Sequence, residues 1–129
     1  MWDVCWSPCG TLAASCSRDG GVRLWKLDAG AGRLSQVGAL PSLPVAVTAV
    51  AWCPGAVLAL GREDGLVALH RLQLGEGVLE GADQVWCSPA WCRHVAAVRR
   101  LVWQEGGEGW QLASCGDDHV VMVFHLLPR

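Results

Sequence analysis

Seven cysteines (Cys5, Cys9, Cys16, Cys53, Cys87, Cys92 and Cys115) and four histidines are the side chains here best able to hold a metal or attack a substrate. The spacings Cys5-x3-Cys9 and Cys87-x4-Cys92 suit one edge of a zinc site. Structural zinc takes four ligands in a tetrahedron, and no second Cys or His pair completes either at finger-like spacing. Small buried residues on strands and turns are the better reading. Cys92 and His94 would share one face of an extended strand, as a thiol nucleophile and its base would. His119 and His125 also fall on one strand face by even spacing, without an evident partner to complete a metal site. There is no G-x-S-x-G elbow, no H-E-x-x-H and no Walker loop, and Gly30, Ala31 and Gly32 lack the third glycine of a dinucleotide fingerprint. The expectation is a chain without catalytic residues, metal or cofactor.

The bulk properties fit one modest domain. Just over half of the 129 residues are apolar and 17% are charged, which excludes a highly charged disordered chain. Net charge is −2 with Lys and Arg scattered, so no basic stripe advertises nucleic acid. The odd cysteine count, with no secretory signal before it, argues against a disulfide framework and for a cytoplasmic or nuclear setting. Residues 38–61 carry no charge and could span a bilayer by length, but Pro41, Pro44, Pro54 and Gly55 break any helix there. Two buried strands joined by a turn explain that segment, and no membrane association is expected. Sixteen glycines and eight tryptophans suggest tight turns between aromatic-anchored strands.

Three segments repeat. Val4, Trp6, Leu12, Ser15, Asp19, Val22 and Trp25 align with Val50, Trp52, Val57, Leu60, Asp64, Val67 and His70. The third set is Leu101, Trp103, Leu112, Ser114, Asp118, Val121 and Phe124. Trp6 to Trp52 is 46 residues and Trp52 to Trp103 is 51. From Asp19 to Trp25, Asp64 to His70 and Asp118 to Phe124 is six residues each time, a step that returns to the same strand face. Asp19-Gly20 and Asp64-Gly65 are tight-turn dipeptides between short Val- and Leu-rich runs. Residues 96–103 could form a short helix by periodicity alone, but their place in the repeat makes them a strand.

These motifs resemble the WD-repeat family over nearly the whole chain. The resemblance implies an all-β fold, a partial WD-type β-propeller of about three four-stranded antiparallel blades, over residues 1–43, 44–92 and 93–129. Strand a falls near 2–7, 46–52 and 96–103; strand b near 11–16, 56–61 and 110–115; strand c near 21–27, 66–72 and 120–126. Strand d falls near 33–40 and 84–88, and the last blade lacks one. Val85 to Pro89 also reads as another strand a, although no strand b follows it. Because the chain opens in a strand a and closes after a strand c, it is expected to be the C-terminal part, or a short form, of a longer WD-repeat protein. Three blades are too few to close a ring, so upstream blades or a partner would be needed.

Blades of this family often bury a polar relay of His, Ser or Thr, Asp and Trp, in which each polar group satisfies another. The resemblance assigns relay positions to Ser15, Asp19 and Trp25, to Asp64, and to His94, Ser114 and Asp118. Phe124 stands where the third Trp belongs, and Leu43, Leu60 and His70 replace the other members in the second blade. The second blade is therefore expected to be held by apolar packing.

In such propellers the b–c turns and d–a connections lie on one rim, where partners dock. That implicates Arg18, Glu63, Arg93 and Asp117 as partner-binding residues on a rim of mixed charge. Trp2, Trp86, Trp91 and Trp110 are possible exposed anchors, with packing the default for Trp. Residues 41–44 fit a bare P-x-x-P, without a flanking Arg, and read better as a d–a connection. The function expected is a non-enzymatic protein–protein interaction scaffold within a larger complex. The alternatives are an RNA-contacting ribonucleoprotein component and a ubiquitin-ligase substrate adaptor. The first lacks a basic patch; the second lacks an Arg after a Trp-Asp pair, because Trp25 is followed by Lys26, Leu27 and Asp28.

Overall fold

A computed structural model describes residues 3–7, 10, 12–28, 30, 32–40, 44–53, 56–75, 78–89, 93–106 and 109–126. The first four strands are β1 (Asp3–Trp6), β2 (Leu12–Cys16), β3 (Val22–Asp28) and β4 (Arg33–Ala39). The next four are β5 (Val47–Cys53), β6 (Val57–Arg62), β7 (Val67–Gly75) and β8 (Val78–Cys87). The last three are β9 (Val98–Gly106), β10 (Gly109–Gly116) and β11 (Val121–Leu126). They make three antiparallel sheets, ordered β1-β2-β3-β4, β5-β6-β7-β8 and β9-β10-β11. Each sheet is a meander in which sequence neighbours pair, so every link is a hairpin.

Equivalent residues meet across each sheet. On one face, Trp6, Ala13 and Trp25 form a row in the first sheet; Trp52, Leu58 and His70 in the second; Trp103, Leu112 and Phe124 in the third. On the opposite face the rows are Cys5, Ala14 and Leu24, then Ala51, Ala59 and Leu69, then Val102, Ala113 and Val123. The sheets stack so that a smaller row meets a larger one. Ala14 and Leu24 share a core with Trp52 and Leu58, while Ala59 and Leu69 share a second core with Leu112 and Phe124. The middle sheet is buried on both faces, which is why β5 and most of β6 read as continuous apolar runs.

The a-strands stand side by side, β5 touching both β1 and β9. Polar side chains stitch them together. Asp3 accepts the Val50 N–H at 3.1 Å, and the Thr48 hydroxyl sits between the carbonyls of Gly61 and Val98.

Two readings of the sequence need correction. Strand d of the second sheet runs from Val78 rather than from 84, and Val85–Cys87 is its end, not another strand a. Residues 79–84 include Glu80, Gly81, Asp83 and Gln84, poor strand formers that the long partner β7 holds extended. His119 does not share a strand face with His125, because it lies in the turn before β11. Of residues 96–103, those from Val98 onward form the first part of β9, a strand.

Candidate functional site

The b–c turns and the connections leading into each sheet gather on one rim, tied by backbone hydrogen bonds. Val47 N–H donates to Ser17 O at 3.3 Å, and Glu63 N–H to Ala46 O at 3.0 Å. His94 N–H donates to Gly65 O at 3.3 Å, and Asp117 N–H to Ala97 O at 2.9 Å. Each turn therefore leans on a connection, and residues far apart in sequence share one surface. The third residue of each turn has a left-handed backbone: Gly20 at φ 79°, Gly65 at φ 91° and His119 at φ 64°. Glycine takes that conformation without steric cost, whereas His119 does not. At Gly65 the need is doubled, since a Cβ there would lie 1.9 Å from the His94 carbonyl oxygen.

Beneath the rim, the third sheet holds a buried polar chain. His94 Nδ1 lies 3.0 Å from Asp118 Oδ2, and its Nε2 lies 2.7 Å from Ser114 Oγ. A carboxylate only accepts, so Nδ1 carries the proton and Nε2 accepts from the Ser114 hydroxyl. Asp118 also takes the N–H groups of Val95 and Val120, both at 3.1 Å. Burial works to raise the Asp118 pKa, but the bonds from His94, Val95 and Val120 outweigh it and hold it below the usual carboxylate value. The chain stops at Ser114, because Phe124 has no indole N–H to offer and packs in a T-shaped contact with Trp86 (centroids 5.2 Å apart).

The other sheets carry shorter versions. In the first, Trp25 Nε1–H donates to Ser15 Oγ at 2.9 Å. Asp19 takes the Ser17 hydroxyl and the Gly21 N–H, which with Arg23 hold its pKa at about 2. In the second, Asp64 receives Arg62 at 2.6 Å and the Leu66 N–H at 3.2 Å. Leu60 fills the serine position, and His70 takes the aromatic one with its Nε2 buried and without a hydrogen-bond partner. Burial lowers the His70 pKa.

The four rim residues singled out by sequence are all exposed. Asp117 is gripped by Arg99 through two bonds of 2.6 and 2.8 Å, which lower its pKa and raise that of Arg99. Glu63 is close enough to favour the Arg99 charge as well. Arg93 donates Nε–H to Ser88 O at 2.7 Å. Arg18 lies one sheet further along the rim, in the β2–β3 turn. Sequence reasoning missed Arg99, whose tie to Asp117 spans 18 residues, and the rim-top Val95, which is 91% exposed. The spacing gave no signal for either; exposure of an apolar side chain is a tertiary property.

The thiols give no nucleophile where they are buried. Desolvation raises Cys5 to about 11, and Cys16 and Cys53 to about 12, so all three are protonated at neutral pH. Cys9, Cys92, Trp2, Trp91 and residues 41–43 lie outside the described residues, as does the side chain of Trp110. Trp86 is half-buried against Phe124. Between the a-strands runs an open groove of about 210 Å³, lined by Trp6, Trp52 and Trp103, with Asp3 and Arg100 as its charged groups.

Comparison with known proteins is consistent with this architecture. The family description "WD domain, G-beta repeat" matches residues 1–26. Elongator complex protein 2 of Arabidopsis thaliana is 34% identical, with 97% of this chain aligned. This chain belongs to the WD-repeat family. The same subunit of Drosophila melanogaster is 32% identical over 98% of the chain. A probable cytosolic iron-sulfur protein assembly protein CIAO1 homolog of Chlamydomonas reinhardtii is 30% identical over 98%. The WD-repeat chain spans only 17% of the length of these Elongator relatives and 42% of the algal protein. No helix among its described residues is long and apolar enough to cross a membrane.

Proposed function

We propose that this WD-repeat chain is a non-enzymatic interaction scaffold that docks protein partners on its turn-and-connection rim as part of a multi-subunit assembly. The observation that carries the reading is the construction of that rim. Backbone bonds lock turn to connection from Ser17 to Asp117, and buried polar chains brace the turns from below. Charged side chains are therefore presented on a rigid frame, which lowers the ordering cost of binding. Arg18, Glu63, Arg93 and Asp117 are the contact residues, with Arg99 orienting Asp117. The relatives' names point the same way, two being components of the Elongator complex and one a cytosolic assembly protein. An intracellular, cytoplasmic or nuclear place follows from this reading.

RNA binding is the weaker alternative. Arg23, Arg62 and Arg99 are each paired with a carboxylate on this rim, leaving little positive field to track phosphates.

The test is binding of the purified chain to the remaining Elongator subunits, by calorimetry, with Arg18→Glu, Glu63→Arg, Arg93→Glu and Asp117→Arg compared at matched thermal stability. Weakening by at least two of the four, at unchanged melting, supports the rim. Equal affinity in all four overturns it, and no binding by the unsubstituted chain overturns the assembly.

A further inference from the structure

The connection that leads into the third sheet presents two side chains to solvent, Arg93 and Val95. Val95 is 91% exposed, the most of any large apolar side chain among the described residues. It does not stand at either end of the stack. His94 N–H is bonded to Gly65 O in the turn of the second sheet, and Val95 N–H to Asp118 Oδ2 in the turn of the third, so Val95 sits over an internal seam between two sheets. Nor is the backbone loose there, because His94, between the two exposed residues, is buried and held by Asp118 and Ser114. Arg93 is fixed as well. Its Nε–H donates to Ser88 O, which orients the guanidinium and leaves both terminal nitrogens without a partner among the described residues. Among those residues Arg23, Arg62 and Arg99 each meet a carboxylate, and Arg93 meets none. One repeat earlier the same two places hold Ser42 and Pro44, so the repeat itself demands neither the charge nor the valine.

We propose that Arg93 and Val95 are a two-point anchor for an extended segment of a partner protein, one that carries a carboxylate side chain two residues away from a large apolar one. This rests on the rim being the docking surface and names the kind of segment it takes. A guanidinium with a fixed plane and free ends calls for a carboxylate, which it grips through two parallel bonds. An apolar side chain laid on Val95 takes both out of water. The spacing selects an extended chain. Cα atoms two residues apart are separated by at most about 7 Å, and an extended segment returns to the same face at that interval. A nucleic-acid phosphate would satisfy Arg93 and leave Val95 in water. A lipid surface calls for several basic and apolar side chains together, whereas Glu63 and Asp117 share this rim. Because the anchor is held in place before binding, little ordering cost opposes the contact.

The test is a selection of short random peptides displayed on phage against the purified full chain, with the enriched peptides then synthesised and titrated by fluorescence anisotropy. The expected consensus is Asp or Glu two residues from Leu, Ile, Val, Phe or Trp. Arg93→Gln and Val95→Ser change exposed side chains, so the fold and its circular dichroism should persist, and each should weaken binding by about tenfold or more. Arg93→Gln should also flatten the loss of affinity with added salt, which Val95→Ser should leave in place. Arg93→Glu should bind a peptide whose acidic residue is replaced by Lys, regaining what either change alone loses; no folding defect can produce that rescue. Selection that enriches no peptide, a consensus lacking the acidic and apolar pair, indifference to Val95→Ser or failure of the charge swap overturns the proposal. If the enriched peptides respond to Arg18→Glu instead, docking on the rim stands and this anchor falls; if they ignore every rim substitution, both fall. A fluorescent single-stranded RNA released by Arg93→Gln and not by Val95→Ser would assign Arg93 to phosphate and overturn it too.

Discussion

Replacing Gly65 by Ala should be among the most damaging one-methyl changes possible in this protein. The new Cβ would lie 1.9 Å from the His94 oxygen, 2.7 Å from its carbonyl carbon and 3.1 Å from the Ala96 oxygen. Ordinary carbon contacts are about 3.5–4.0 Å, so the backbone of the connection must retreat by well over an ångström. That movement breaks the His94 N–H bond to Gly65 O and pulls the imidazole off Ser114, at about 0.5–1.5 kcal/mol for each bond. A left-handed alanine adds about 1–2 kcal/mol. The sum, about 2–5 kcal/mol, reaches into the range of strong single-site effects. The third sheet supplies the control. His119 occupies the same turn position at φ 64° and is exposed, so His119→Gly relieves the backbone alone and should stabilise by about 1 kcal/mol. Urea midpoints followed by tryptophan emission would give both values. If Gly65→Ala costs no more than His119→Gly gains, the turn and the connection are not packed together, and the account of the rim as one rigid surface fails.

Three further outcomes follow from the polar groups on and beneath the rim. Ser114→Ala leaves His94 Nε2 buried without a partner and should cost about 1–3 kcal/mol, whereas Ser15→Ala, beneath the half-exposed Trp25 indole, should cost less; equal losses in urea unfolding would contradict the burial argument. His70→Phe removes a buried unpaired nitrogen and restores an aromatic ring to its row, so it should stabilise by about 1–2 kcal/mol at pH 7.5. Because burial lowers the folded His70 pKa, the unfolded chain binds its proton first; stability falls as pH drops below the unfolded value of about 6.5, and the Phe variant should lose that slope. Asp19, Asp117 and Asp118 have depressed folded pKa values, so their contribution is complete above the unfolded value of about 3.9 and disappears as pH falls toward the value of about 2 held by Asp19. Thermal melts between pH 5 and 2 should show a fall that Asp19→Asn and Asp118→Asn each make shallower.

Much of this architecture was legible from spacing. Side-chain alternation and the two Asp-Gly turns placed the first two b–c hairpins, and the six-residue step from Asp118 to Phe124 the third, because those signals are local: a strand has period two, and a tight turn favours residues that tolerate positive φ. The fourth strand of the second sheet was only partly legible. Leu79 to Gln84 have little intrinsic reason to be extended, and their strand exists because β7 offers a row of backbone partners. The position of His119 was misread for a similar reason: even spacing to His125 implies one face only if the chain between them is extended, and it is not.

For the site, residue types and turn positions marked out Arg18, Glu63, Arg93 and Asp117 as exposed rim groups, since a charged residue beside a tight turn has nowhere else to go. The sequence could not say that Arg99 would hold Asp117, that Val95 would stand in solvent, or that Thr48 and Asp3 would tie one sheet to the next. Those facts depend on how the sheets are stacked. What the sequence determined by itself is the repeating unit, fixed by periodicity and turn chemistry within some forty residues. What only the tertiary structure decided is which face of each unit is covered. Ala51, Ala59 and Leu69 are core and Val102, Ala113 and Val123 are largely surface, although the two rows are nearly the same in composition, because burial belongs to the neighbour and not to the strand.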